Sequence, residues 1–333
     1  MAASRRDILR LLDTLEGPIA AQFMEAVSRI RSRAQIAAIA RAIERNDLDA
    51  VLRTLGERPG SWSTLTEQIR SSYVEAGLFT MAADVPRRFG MEFDITNPRV
   101  ERWLREHSSG LVTYINAEQR EAIQEALRAG MAAGRNPRSM ALDIVGRMDA
   151  QTGRRAGGIV GLNRTQAAAA IKAREQLQAL DAAYFNRTLR DKRFDSLVRK
   201  AIESGTPLTE ADINRLVGRY EDRLLKWRGD TIGRTEALAA LNEASDESLR
   251  QVIDEGLAQP EAVKRIWRHS FSKNERPGHL DMDGEERGVD EAFVNPETGV
   301  ALMHPGQGPA SEVINCRCIV EHKIDFIAVE LAA

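Results

Sequence analysis

Cysteine is scarce in this chain, with two in 333 residues, Cys316 and Cys318. A framework of several disulfides is therefore excluded, and a bridge between these two would be strained, because residues two apart on a strand set their α-carbons near the upper limit for bridging. Long apolar runs are missing too. No stretch approaches the roughly 18 consecutive apolar residues that cross a bilayer. Met1 to Asp7 leads into an amphipathic helix without an apolar signal core, so the expectation is a protein made in a cytoplasm with no membrane partner. Aromatic residues are few, at 5%, while alanine and arginine are frequent, a balance that leans toward helix. Gly153, Gly157, Gly158 and Gly161 lack the Gly-Lys-Ser/Thr ending and the preceding apolar strand of a phosphate loop, and read as a hinge or loop.

What is present is ordinary for a soluble protein, 43% hydrophobic and 29% charged, in a chain long enough for two domains or for one domain with an extended helical arm. The net charge of −2 hides an asymmetry: residues 130–200 hold 14 basic against 6 acidic side chains. Within this band Arg135, Arg138, Arg147, Arg154, Arg155 and Arg164 are candidates for contact with packaged DNA or an acidic portal surface, the alternative being a solvated helical face. No aromatic residues interleave it as stacking platforms.

The first two thirds read as helices. Ile8 to Leu15 form a short one expected to stop at Gly17-Pro18, and a second, with a narrow apolar stripe, runs from Ile19 toward Arg45. Asn97-Pro98 opens a helix expected to end near His107, and Thr209 to Leu241 forms another that extends toward Gly256.

The pattern becomes dense from Arg265 to His322. Trp267, His269 and Phe271 alternate as on one face of a strand, and Asn274 to Gly278, His279 to Gly284, Asn295 to Gly299 and Pro305-Gly306 supply turns, a spacing suited to short hairpins. In the closing run, Ile314, Cys316, Cys318 and Val320 fall on one face of an expected strand, with Asn315 and Arg317 on the other. Two readings of the thiols stand. They and His279, with one of His269, His304 or His322, of which His322 lies on the strand face of the thiols, would make a tetrahedral structural zinc site; or they are two reduced thiols in a hairpin core.

The order Trp267, His279, Asp283-Gly284, Pro305-Gly306 and Asn315-Cys316-Arg317-Cys318, with Arg234-Thr235-Glu236 upstream on a helix, resembles the carboxy-terminal signature of the phage Mu F-like head morphogenesis proteins, the minor head proteins of tailed phages. The resemblance covers roughly Leu111 to His322. It implies that the signature residues are structural, that no residue is catalytic, and that the protein is a virion component near the portal vertex, made in the host cytoplasm. Its partners would be the portal protein and other head proteins, with packaged DNA as a further one and no small-molecule substrate. Its role would be head morphogenesis, DNA packaging or DNA delivery. The family also sometimes carries toxin domains after its signature, and none is expected after Cys318 here. The alternatives are a metal-dependent nucleic-acid enzyme and an internal scaffolding factor lost on maturation. The expected fold is α+β in three parts: a helical arm over 1–96 for portal or subunit docking, a helical domain over 97–260, and a β-rich module over 261–333.

Overall fold

The computed structural model describes residues 3–55, 60–150, 152–270 and 276–325. Its elements follow in order α1 (Arg5–Arg33), α2 (Ile36–Glu44), α3 (Leu48–Leu55), α4 (Ser63–Asp84), α5 (Pro98–Ala132) and α6 (Pro137–Val145), then a hairpin of β1 (Arg147–Met148) and β2 (Arg155–Ala156). After it come α7 (Arg164–Gln178), α8 (Asp195–Ser204) and α9 (Glu210–Asp254). The carboxy-terminal module holds β3 (Val263–Arg268), α10 (Pro277–Asp281), β4 (Glu286–Arg287), β5 (Phe293–Val294), β6 (Ala301–Leu302), α11 (Ala310–Val313) and β7 (Ile319–Ile324). This is an α+β architecture, with helix throughout the amino-terminal part and small antiparallel sheets near the other end.

Two expected breaks are absent. Helix α1 continues through Pro18, although proline there removes a backbone donor. The apolar residues on either side, Leu12, Leu15, Ile19 and Phe23, stay in helical register and are all buried. Each is worth about 1.5–3 kcal/mol on burial, more in sum than the roughly 3 kcal/mol a mid-helix proline costs. Likewise α5 runs past His107 and Gly110 to Ala132. Caps fared better. Asn97 Oδ1 accepts from Arg99 N at 2.9 Å, and Asn136 Oδ1 accepts from Ser139 N at 2.8 Å at the start of α6.

The chain forms two compact units, and they do not follow the expected linear division at 96 and 260. The first comprises residues 1–22, 64–108 and 230–333, the second 23–63 and 109–229. Long helices explain the difference: α1, α5 and α9 each contribute to both, so residues 1–96 are not an arm.

In the second unit the glycine segment is a gripped loop. Asp222 accepts from Gly157 N at 2.8 Å and Glu221 from Gly158 N at 2.6 Å, while Arg31 donates to the carbonyls of Gly158 and Val160. The amides a phosphate would need are thus spent on carboxylates of α9. Burial pushes the Glu221 carboxyl up to about 7, against the Gly158 amide, which favours its charged form.

In the first unit, β3 is the centre of a three-stranded antiparallel sheet in the order β4-β3-β7, with Trp267 opposite Val320 and Arg265 opposite His322. Strand alternation buries Val263, Arg265 and Trp267 on one side. His269 continues the buried series, and Phe271, Asn274 and Glu275 lie outside the described residues. Asn295 to Gly299 forms the expected turn between β5 and β6, whereas Pro277 to Asp281, expected as turn, is the short helix α10.

Candidate metal centre

Three of the five histidines, His279, His304 and His322, are buried against carboxylates or sulfur, and one of these groups has a metal-ligand composition. His279 Nδ1 lies 3.4 Å from Cys316 Sγ and 3.7 Å from Cys318 Sγ. The three ligand atoms fall within 4.8 Å of one another, an arrangement that could hold a metal ion. All three residues are buried, at 1%, 3% and 2% exposed.

Local structure brings them together in a way that differs from a continuous strand. α11 ends at Val313, Asn315 turns the backbone into the left-handed region at φ 57°, and β7 begins only at Ile319. Ile314 is therefore exposed, at 38%, and does not share a face with the thiols. The thiols still point the same way, because the four residues of the knuckle alternate. Asn315 Oδ1 accepts from Arg234 Nη1 at 2.7 Å, and Arg317 pairs with Glu16 at 2.7 Å and with Asp13, so the residues between the cysteines' neighbours face α9 and α1. Thr235 Oγ1 accepts from Asn315 N at 3.3 Å.

His322 does not join the group. Its ring turns to α4, where Nδ1 meets Asp84 Oδ2 at 3.0 Å, and along an extended strand four residues set it about 13 Å from Cys318. The set is His279, Cys316 and Cys318, and the structure adds Glu312, which the sequence reading missed. Its Oε2 accepts from His279 Nε2 at 2.7 Å and from Asn295 Nδ2 at 2.9 Å, and its Oε1 accepts from Thr298 Oγ1 at 2.9 Å. Trp267 covers the group edge-on, its ring 5.2 Å from that of His279 at 83°.

The electrostatics favour a thiolate. A hydrogen bond from Cys318, and the His279 imidazole beside it, hold the Cys316 thiol well below the ordinary range in spite of burial. Cys318 is pushed up, first by the neighbouring Cys316 sulfur and then by burial. Burial pulls the His279 ring down, but Cys316 and Glu312 outweigh it and the net shift is upward. Burial raises the Glu312 carboxyl, but its donors, His279 foremost, bring it below the usual range.

The other signature residues hold the module to itself or to α9. Asp283 Oδ1 accepts from His269 N, and Gly284, at φ 86°, donates to Trp267 O. Gly306, at φ 91°, lies so close to α9 that a Cβ would stand 2.9 Å from the Ala239 Cα. Glu236 bonds His107, not a carboxy-terminal loop. Arg265, unremarked in the sequence, is fully buried. It donates to Asp246 and to the carbonyls of Gly288, Glu291 and Met303.

Two further histidine clamps set a pH dependence. His107 pairs with Glu236, and His304 Nε2 with Glu243 Oε2 at 2.9 Å. Burial lowers both imidazoles, but the carboxylates outweigh it and both net shifts are upward. A raised folded pKa means that the stabilisation is full below the unfolded value of about 6.5 and is lost as pH rises through the folded values. Urea unfolding of the full chain is expected to show stability falling across that window, and Glu243→Gln to flatten the slope.

Part of the arginine band is engaged in internal pairs. Arg135 and Arg147 converge on Asp143 at 2.8 and 2.7 Å, with Arg174 at 3.2 Å, and Arg155 donates to Gly146 O. Of the six arginines singled out in the sequence, Arg138, Arg154 and Arg164 are exposed.

The chain matches no family model and no solved structure. Among curated proteins it is similar to an uncharacterized protein of Bacillus subtilis, YqbB, with 33% identity over 135 residues, 39% of this chain and 41% of that protein. It is also similar to the NAD(+)--arginine ADP-ribosyltransferase EFV of Enterococcus faecalis, with 30% identity over 105 residues, 30% of this chain and 20% of that enzyme. The chain thus spans less than half the length of either relative.

Proposed function

We propose that the chain is a structural minor head protein of a tailed phage, associated with the portal vertex and aiding head morphogenesis, DNA packaging or DNA delivery. One observation carries this reading: the ordered signature from Trp267 to Cys318 that resembles the Mu F-like family is spent on internal contacts. Trp267 and His279 face each other, Asn315 meets Arg234, and Arg317 meets Glu16. Such burial suits a fastening better than a reacting centre, since a nucleophile or metal-bound hydroxide needs a cleft through which substrate approaches.

The partners in this proposal are the portal protein, other head proteins and, through the exposed Arg138, Arg154 and Arg164, packaged DNA. The chain acts in the virion after assembly in the host cytoplasm. Zinc belongs to the same reading, because two thiolates and an imidazole form the donor set it takes in structural sites. The transferase activity named for the Enterococcus relative stays with that protein, since the match takes in only 20% of it.

Quantitative mass spectrometry of purified procapsids and mature particles, scaled to the portal protein, tests the assignment. A few copies per portal in both are expected. Presence in procapsids alone would favour the scaffolding alternative, and absence from both would favour an enzyme acting on nucleic acid.

A further inference from the structure

We propose that Glu312 and Trp267 are positioning residues of a thiolate centre for a divalent ion of zinc's class, held by His279 Nδ1, Cys316 Sγ and Cys318 Sγ. This rests on the zinc reading above and adds the groups that prepare the site.

Bonds of about 2.3 Å to sulfur and 2.0–2.1 Å to nitrogen, set at tetrahedral angles, separate S from N by about 3.5 Å. The observed separations are 3.4 and 3.7 Å. A ring nitrogen carries one lone pair or one proton in its plane, so it can make one linear hydrogen bond. Two sulfurs at nearly equal distances from it are arranged as around a common centre.

Glu312 decides which nitrogen faces that centre. By accepting from His279 Nε2 it places the ring proton there and leaves the Nδ1 lone pair directed at the sulfurs. The carboxylate is itself fixed by Asn295 and Thr298, and is 2% exposed. It stands on α11, four positions before Cys316, so the orienting group and the first thiol are set by one short stretch of backbone. Trp267 acts on the other thiol. Its ring packs edge-on against His279 at 5.2 Å, and its Nε1 is buried with no hydrogen-bond partner. An orphaned buried donor is destabilising, and a thiolate facing it would satisfy it.

Cobalt(II) titration of the reduced full chain, read by thiolate-to-cobalt absorption with a competing chelator, tests this. One cobalt per chain is expected. Glu312→Gln should bind the same amount about 10- to 100-fold more weakly with an unchanged circular dichroism spectrum. Trp267→Phe should keep the stoichiometry and move the charge-transfer band to lower energy. Should Glu312→Gln fail to fold, Thr298→Ala, which removes one of the carboxylate's donors, is expected to weaken binding several-fold. Affinity within twofold of the wild type in whichever of these two variants folds, or an unmoved band in Trp267→Phe, would overturn the part assigned to that residue while leaving the ion in place. No cobalt taken up by the folded wild type would overturn the zinc reading itself.

Discussion

Replacing Arg265 with leucine is expected to destabilise the chain by about 3–5 kcal/mol, the range for breaking a buried ion pair from one side. The guanidinium is fully buried on the inner face of β3 and reaches Asp246 Oδ1 on α9 at 3.0 Å. It also binds the carbonyls of Gly288 and Met303, at 2.7 Å each, and that of Glu291. These carbonyls belong to the segments around β4, β5 and β6, which are only two residues long and have few ladder bonds of their own. Leucine would leave Asp246 to Arg250 and take the donors from three part-buried carbonyls. Lysine is expected to rescue little, because one ammonium cannot fork among acceptors lying in different directions. Urea unfolding followed by tryptophan fluorescence reads the loss, and a change below about 1 kcal/mol would show that the network is not what holds these loops.

Removing the ion proposed above is expected to be the second large effect. An ion that binds the folded chain alone adds about 4 kcal/mol at a thousandfold excess over its dissociation constant, or roughly 10 °C in midpoint for a unit of this size. A chelator is therefore expected to lower the first unfolding midpoint by that order, with recovery on adding zinc. Amide exchange should quicken in residues 263–325 and stay unchanged in α7 of the second unit. Exchange that ignores the chelator, in protein shown to carry zinc, would reduce the ion to a passenger.

Much of this was legible in the sequence, and the failures share a cause. The helices could be read from spacing, and the Asp283-Gly284 and Asn295–Gly299 turns from residues that tolerate a left-handed backbone. Pro18 and Gly110 misled because local propensity is weaker than the burial of a stripe that continues on both sides. The cysteines' common direction was right though the strand was not. Asn315 supplies a left-handed residue where the alternation suggested extended chain, and His322 is engaged by Asp84, a partner that no local pattern announces. Arg265 and Glu312 were invisible for a different reason. A charged side chain at a core position gives no signal in a hydrophobic pattern until its partners are known, and theirs lie 14 to 38 residues away. The arginine band shows the converse, since counting charge could not tell that Asp143 engages three of its members.

The claim on which the account turns is that the carboxy-terminal signature fastens the fold around an ion. Zinc K-edge absorption of the intact chain, purified without added metal and paired with elemental analysis, tests it most directly. One zinc per chain, with two sulfur neighbours and an imidazole, is the predicted result. A folded chain that contains no zinc and takes up none when it is supplied would contradict it.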